Sequence, residues 1–169
     1  IEGRSRFLME ILRATRALVG GRYPVLCRID SCNPLAELDS TEAQKIAQMA
    51  QDAGADAIDA SVFLMMFASA PLTDPAGNLV HYVEAVKNAI TIPLMGGGGL
   101  QFSTAERIIG EGKVDMVAFG RPLLADPELA DKLASGKSDE IRPCIACLTC
   151  VDCVLNQEGG IKIHDKPLK

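Results

Sequence analysis

Apolar residues recur along the chain with two spacings, one typical of amphipathic helices and one typical of buried strands. Residues 5–19 place apolar side chains three and four positions apart with arginines between them, which predicts a helix that ends at Gly20-Gly21. The run from Pro24 to Ile29 is short and almost continuously apolar, as in a strand covered on both faces. The order helix then strand continues to about residue 133.

Later segments repeat this order. Helices are predicted at residues 40–53, 79–89, 103–109 and 126–133, and strands at 57–61, 92–95 and 114–119. We expect Ser40 or Thr41 to cap the first of these helices and Ser103 to cap the third. Residues 62–80 are less regular and contain the prolines and glycines of a long loop.

Four strands that each follow a helix predict an α/β fold, with a parallel sheet and right-handed crossovers. Four such units form either an open doubly wound sheet or half of a (β/α)8 barrel. A complete barrel typically needs about 250 residues. The chain has 169 residues, so a complete barrel is excluded.

Composition narrows the classes of function. The chain is 48% hydrophobic and 23% charged, which is typical of a globular protein. Its net charge of −5 argues against nucleic acid as a partner. No apolar run approaches the roughly 20 residues of a membrane span, and residues 1–20 do not resemble a signal peptide. We expect a cytoplasmic protein that binds a small-molecule substrate, not a membrane.

Two glycine-containing turns are candidates for phosphate binding. Gly96–Gly99 follow a predicted strand and precede a helix, where backbone N–H groups attract an anion; a tight turn explains them equally well. Gly120-Arg121 end the next strand, and the guanidinium offers paired donors, although a lone Gly-Arg more often marks a surface salt bridge. In barrels the loops after strands seven and eight often bind phosphate, so the two turns together favour that function.

Arg28 interrupts an otherwise apolar predicted strand. A buried arginine must be paired or face a ligand. Barrel ligands lie at the carboxyl ends of strands, where we place Arg28. The alternative is a core arginine partnered by Asp30 or Asp59.

Four of the six cysteines, Cys144, Cys147, Cys150 and Cys153, follow one another at three-residue intervals. Zinc usually takes two separated C-x2-C pairs, whereas this close spacing is that of an iron–sulfur cluster. Four thiolates so close together strain to reach four corners of one cube, so either Cys150 or Cys153 is spare or the fourth ligand lies elsewhere. Free or disulfide-bonded cysteines are the alternative.

Other chemically interesting side chains favour structural roles. Cys27 and Cys32 are predicted to be small apolar core residues. His81 and His164 are predicted to be solvated or capping, and residues 65–67, Met-Met-Phe, to form a packing surface. No residue is a convincing proton donor, so catalytic residues are not assigned.

Taken in order, these segments resemble the old yellow enzyme superfamily of NADH:flavin oxidoreductases. The opening IEGRSRFLME resembles a segment of that family, and PVLCRI resembles its fifth barrel strand. IPLMGGGGL resembles the seventh strand with its phosphate loop, and VDMVAFGRPLLADPEL the eighth with its Gly-Arg. IRPCIACLTC is similar to the cluster motif of the branch that includes 2,4-dienoyl-CoA reductase and trimethylamine dehydrogenase.

The resemblance implies the FMN-binding C-terminal half of a (β/α)8 barrel at residues 1–141 and a Cys-rich iron–sulfur segment at 142–169. Arg28 would approach the flavin pyrimidine ring. The residues implied to hold the FMN phosphate are Gly98, Gly99, Gly120 and Arg121. Those implied to hold a [4Fe–4S] cluster are Cys144, Cys147, Cys150 and Cys153. The family places its fourth ligand further downstream, so either Cys153 substitutes for that ligand or Cys153 is not required and the ligand lies past Lys169.

The implied activity is that of an FMN-dependent oxidoreductase that reduces activated alkenes or enoyl thioesters, or oxidises amines. In the full-length parent the cluster would relay single electrons between FMN and a second flavin, FAD, linked to NAD(P)H. The family's first four strands and its tyrosine acid have no counterpart, and Ser61–Met66 lacks the branch's histidine acid. We therefore expect a fragment, inactive alone, that pairs with the rest of the barrel or with a second copy.

Two further functions are open. One is a non-catalytic, self-associating half-barrel that binds phosphate or flavin. The other is a small iron–sulfur electron carrier.

Overall fold

The computed structural model describes residues 2–33, 37–62, 80–97, 100–147 and 149–150. Its helices are α1 (Glu2–Val19), α2 (Ser40–Asp52), α3 (Val80–Lys87), α4 (Phe102–Gly110), α5 (Arg121–Ala125) and α6 (Leu129–Ala134). Its strands are β1 (Leu26–Cys32), β2 (Ala57–Val62), β3 (Leu94–Gly97) and β4 (Met116–Ala118). A short 3-10 helix, Ser138–Glu140, follows α6.

The strands within this described part form one parallel sheet in the order β1-β2-β3-β4. Arg28 of β1 lies opposite Asp59 of β2, which in turn lies opposite Met95 of β3. A doubly wound sheet reverses its strand order at a switch point, whereas a barrel adds each strand beside the last. The predicted α/β fold, a partial (β/α)8 barrel, is therefore confirmed.

The hydrophobic core lies on one face of this sheet, between the strands and the helices α1 to α4. Ile58 and Leu94 are fully buried in neighbouring strands. Ala47 of α2 and Val86 of α3 are equally buried, and the alanines of α2 let that helix approach the strands closely. On the opposite face, side chains such as Leu26 remain exposed.

The N-cap of helix α2 lies one residue before the earlier of its two expected caps. Asp39 is the N-cap, and its carboxylate accepts the backbone N–H of Glu42 at 2.8 Å. The prediction that Ser40 or Thr41 caps this helix was wrong. A carboxylate and a hydroxyl can both accept the N–H. Only the carboxylate carries a negative charge, which interacts favourably with the positive end of the helix dipole.

Helix α4 also starts earlier than predicted. It begins at Phe102, with Gln101 as an N-cap that makes no side-chain capping bond, so the prediction that Ser103 caps the helix was wrong. The Phe102 ring packs edge-to-face against Phe119, with the ring centroids 5.3 Å apart. This aromatic contact fixes the first turn in place of a capping hydroxyl.

Strand β3 includes the first two of the four consecutive glycines, which we had expected to follow the strand. Glycine weakens strands, so its sequence signal is that of a loop. A Cβ added to Gly96 would lie 2.6 Å from Val83 Cγ1 and 2.9 Å from Val114 Cγ1. Gly96 therefore belongs to the strand because only a bare backbone fits beneath α3.

The described residues up to Phe119 form one compact unit, and those from Gly120 onward form a second. The second unit contains α5, which the hydrophobic pattern did not predict, together with α6 and the 3-10 helix. Leu129 is its buried apolar side chain, at 2% exposure. We expected a boundary between residues 141 and 142, where the FMN-binding barrel would end and the iron–sulfur segment would begin. This boundary stays a prediction.

Candidate functional site

The sheet face opposite the helices, here called the inner face, lines the interior in a closed barrel. Side chains alternate along a strand, and register partners in a parallel sheet point the same way. The register therefore defines the inner face as Leu26, Arg28, Asp30, Ala57, Asp59, Ser61, Met95, Gly97, Met116 and Ala118.

Arg28 and Asp59 form an ion pair on the inner face. Arg28 Nη1 lies 2.9 Å from Asp59 Oδ2, and the side chains are 66% and 21% exposed. The expectation of a buried arginine at a strand's carboxyl end was wrong: Arg28 is the third residue of seven in β1, on the face without helices. Asp59, named beforehand as an alternative partner, is confirmed as the partner.

A second polar group lies nearer the carboxyl ends of β1 and β2. Asp30 accepts hydrogen bonds from Ser61 Oγ at 2.7 Å and from Asn33 Nδ2 at 2.9 Å. Ser31 Oγ donates to the carbonyl oxygen of Ser61 at 2.8 Å, beside a bulge between Asp30 and Cys32. Sequence reasoning had named Asp30 only as a partner for arginine and had missed this network. The available signal was the cluster of polar residues at two adjacent strand ends.

Two of these side chains can bind a ligand on the inner face: Arg28 donates hydrogen bonds and Asp30 accepts them. A guanidinium carries five N–H donors, and the hydrogen bond of Arg28 to Asp59 uses one of them. An electron-rich atom of a ligand can accept a hydrogen bond from another of these N–H groups. Asp30 offers carboxylate oxygens whose hydrogen-bond partners are neutral groups.

Two of the four predicted phosphate residues lie in the described part of the chain. Gly98 and Gly99 lie outside the described residues. Gly120 is the N-cap of α5, and Arg121 is the first residue of that helix and is half-buried. The assignment of these four residues to a phosphate site stays a prediction.

Gly97 explains how closely β3 and β4 approach each other. A Cβ on Gly97 would lie 2.7 Å from the carbonyl oxygen of Ala118, its register partner. Because that contact is with backbone, no side-chain movement relieves it. Any larger residue here separates the two strands.

Three of the four clustered cysteines, Cys144, Cys147 and Cys150, lie in the described part of the chain, and Cys153 lies outside it. The described cysteines are free thiols, which disfavours the disulfide alternative for them. Among the described residues, no group of three histidine, cysteine or acidic side chains is gathered for a metal ion. Cluster binding by this segment stays a prediction.

The chemistry of this donor set fits a soft metal or a cluster. The Thr149 hydroxyl donates to Cys147 Sγ at 3.3 Å, and this bond, followed by the Thr149 backbone N–H, lowers the pKa of the Cys147 thiol. Ala146 has a φ of 60°, a left-handed conformation that costs about 1–2 kcal/mol and turns the chain between Cys144 and Cys147. A thiolate is the form that binds metals.

The residues predicted to be structural can be followed where they are described. Cys27 and Cys32 are buried as predicted, and burial raises the pKa of the Cys27 thiol. His81 is exposed on α3, with its ring centroid 3.9 Å from that of Tyr82. His164 and the Met-Met-Phe run lie outside the described residues.

None of the described helices combines the length and hydropathy needed to cross a membrane.

Comparison with known proteins identifies the family. The family model of the NADH:flavin oxidoreductase / NADH oxidase family matches residues 1–140. The NADH oxidase of Thermoanaerobacter brockii is 37% identical over 154 residues, which cover 86% of this chain and 23% of that protein. The chain spans about a quarter of the length of the curated relatives it matches.

Two solved structures share the fold along most of the chain. A 2-naphthoyl-CoA reductase superposes with a TM-score of 0.79 at 31% identity, covering 87% of this chain and 23% of its own. A 6-hydroxypseudooxynicotine amine oxidase from Pseudomonas geniculata gives 0.75 at 27% identity, covering 88% and 23%. With the family model matching well over half of its residues, the chain belongs to the NADH:flavin oxidoreductase / NADH oxidase family.

Proposed function

We propose that this chain forms the flavin- and cluster-binding part of an FMN-dependent oxidoreductase that reduces activated alkenes or enoyl thioesters, or oxidises amines. Family membership supports the flavin. The similar reductase acts on a naphthoyl thioester and the similar oxidase on an amine, by their names, which supports these two substrate classes. When bound, FMN supplies the hydride chemistry, and the protein supplies position and charge.

The anchored Arg28 is the observation that carries this proposal. Its guanidinium lies on the inner face, is 66% exposed, and is held by Asp59 at 2.9 Å. A fixed cation of this kind stabilises negative charge on a ring placed against it without reorganising. Arg28 would therefore bind the pyrimidine edge of FMN, and Asp59 would restrict its rotation.

The same proposal assigns the phosphate and the cluster. Backbone N–H groups of Gly98, Gly99 and Gly120, with the guanidinium of Arg121, would hold the FMN phosphate. Thiolates of Cys144, Cys147 and Cys150, with Cys153 or a later residue, would hold a [4Fe–4S] cluster for single-electron transfer. FAD and NAD(P)H would bind elsewhere in a longer protein.

Titration of FMN into the purified chain tests the proposal, with quenching of flavin fluorescence as the readout. The unmodified chain should bind FMN, and Arg28→Ala should bind it at least about tenfold more weakly, the effect of losing one charge-assisted contact. Arg22→Ala, an exposed arginine of the α1–β1 turn, is the control. A folded chain that binds no FMN contradicts the proposal.

Iron and sulfide analysis of the same sample separates the rival functions. A cluster without flavin binding favours the electron carrier. Because this chain alone is expected to be inactive under both hypotheses, flavin binding and dimerisation favour the non-catalytic half-barrel only if the full-length parent also shows no turnover.

A further inference from the structure

Asp126 is a buried carboxylate of the second unit, with its side chain 4% exposed. Its Oδ1 accepts the backbone N–H of Glu128 at 3.1 Å. Its Oδ2 accepts Lys132 Nζ at 2.8 Å and the backbone N–H of Arg142 at 2.9 Å. The two oxygens thus serve different segments, because Oδ1 binds the residue that precedes α6, whereas Oδ2 reaches a residue 16 positions later.

The bond to Arg142 fixes the chain just before the cysteines. Residues 141–147 contain no helix or strand, so regular backbone hydrogen bonding does not hold them. Ile141 is extended, with φ −72° and ψ 128°, and Arg142 follows it directly. Since Cys144 is two residues further on, the position of Arg142 limits where the first cysteine lies.

The charge of Asp126 is balanced inside the unit. Lys132 projects from α6 and pairs with it, and the hydrogen bond from Lys132, then that from Arg142, lowers the pKa of the Asp126 carboxyl. The turn that leads into α6 uses only one acceptor oxygen of Asp126, Oδ1. The second oxygen is therefore available to hold the cysteine segment.

We infer that Asp126 is a positioning residue that presents the cysteine segment, through the backbone N–H of Arg142, for cluster binding. The inference rests on the proposed function, because it presupposes that the cysteines hold a cluster. It assigns Asp126 a role that acts through a backbone N–H and not through a bond to the cluster.

Two variants at one position isolate this bond. Arg142→Pro removes the backbone N–H, and the extended Ile141 is compatible with a following proline. Arg142→Ala removes the side chain and keeps the N–H, which makes it the matched control. Neither change touches the bonds of Asp126 to Glu128 and Lys132.

A third variant separates positioning from stability. Lys132→Met removes the ion pair and lowers the melting temperature, but leaves the Arg142 N–H bonded to Asp126. Each full chain is reconstituted anaerobically with iron and sulfide. The measurements are iron and sulfide per chain, the rate of iron loss to a chelator, and the melting temperature without metal.

We expect Arg142→Pro to lose iron about tenfold faster than Arg142→Ala, the factor for one hydrogen bond to a charged group. Lys132→Met should lose iron at nearly the unmodified rate despite its lower melting temperature. Equal rates for the two Arg142 variants, or iron loss that simply follows melting temperature, overturns the inference. An unmodified chain that holds no iron or sulfide refutes the cluster part of the proposed function, and this inference with it.

Discussion

Arg16 joins three segments at the amino-terminal side of the sheet. Its guanidinium donates to the carbonyl oxygens of Gly54 at 2.7 Å, Gly20 at 2.7 Å and Tyr23 at 2.8 Å, and forms an ion pair with Asp56. The end of α1, the approach to β1 and the turn before β2 are thereby held by one side chain. Only a planar group with several donors in fixed directions satisfies so many acceptors at once.

Arg16→Lys should lower the free energy of unfolding by about 1–3 kcal/mol, because one ammonium group leaves some of these carbonyl oxygens without a donor. Urea denaturation measures the change. Arg13→Lys, one turn away and exposed, is the control and should stay within about 0.5 kcal/mol of the unmodified chain. Equal losses in both variants would refute the role given to Arg16.

Arg121→Ala should weaken FMN binding by about 1.5–3 kcal/mol, because a charge-assisted contact to the phosphate is lost. Flavin fluorescence titration measures the dissociation constant. Riboflavin, which lacks the phosphate, provides the control ligand, and its affinity should be the same for both proteins. Unchanged FMN affinity contradicts the assignment of Arg121.

At the scale of elements, the contact of α3 with β3 depends on the absence of a side chain at Gly96. Gly96→Ala should cost about 1–3 kcal/mol of stability, because valine side chains cannot move away cheaply. Gly110→Ala, at the end of α4 where nothing lies within 4 Å, is the matched control. Adding Val83→Ala to Gly96→Ala should restore part of the loss, and a further loss instead would contradict this packing.

Carboxylates tie neighbouring elements together in the same way at two places. Asp56 accepts the backbone N–H of Val25, just before β1, at 2.8 Å and pairs with Arg16 of α1. Asp115 accepts the N–H of Leu94, the first residue of β3, at 2.7 Å and pairs with Lys87 of α3 at 2.6 Å. Each carboxylate therefore links a helix to the start of the strand that follows it.

The ion pair and hydrogen bond of Asp115 make the stability of the fold depend on pH. The hydrogen bond from Lys87, then the N–H of Leu94, lowers the pKa of Asp115 below its ordinary value of 3.8. A lowered pKa in the folded state stabilises the fold above the unfolded value and loses that effect as the pH falls through the folded value. Asp115→Asn should therefore melt lower than the unmodified chain at pH 6.

The difference in melting temperature between these two proteins should shrink below about pH 4 and vanish at more acidic pH. Asp52→Asn, an exposed residue at the end of α2, is the control and should show no such dependence. A difference that is constant from pH 6 to pH 3 would show that Asp115 contributes by its shape rather than its charge.

At the scale of the whole molecule, the inner face departs from the usual burial of parallel sheets. Such sheets are normally covered on both faces. Here Leu26 and Met116 are 53% and 42% exposed on the face without helices. We propose that the rest of a barrel or a second copy of the chain covers this face, and in the isolated chain only the second copy is available.

The isolated chain should therefore dimerise in a concentration-dependent way, as sedimentation velocity can measure. Leu26→Lys with Met116→Lys should shift it to monomer, because burying two ammonium groups is costly. Phe7→Lys with Leu18→Lys places the same charges on exposed positions of α1 and should leave the dimer intact. If Phe7→Lys with Leu18→Lys dissociated the dimer and the inner-face pair did not, the interface would lie on α1 instead.

Local patterns were sufficient for the order of helices and strands up to β4 and for the α/β class, whereas the choice of a partial barrel over an open sheet came from the family resemblance. The spacing of apolar residues within a segment reports which face is buried, and this required no knowledge of other segments. The apolar character of free cysteine correctly placed Cys27 and Cys32 in the core. The family resemblance, carried by short motifs such as VDMVAFGRP, is confirmed by the family model that matches residues 1–140.

Tertiary structure alone decided which residues meet. Arg28 and Asp59 are 31 positions apart, and Asp126 and Arg142 are 16 apart, so each pairing depends on how separate segments pack. Gly96 has the sequence signal of a loop, yet the closeness of α3 makes it part of a strand. Periodicity reports whether a side chain faces protein or solvent, but a partner is chosen by distances between segments that only packing establishes.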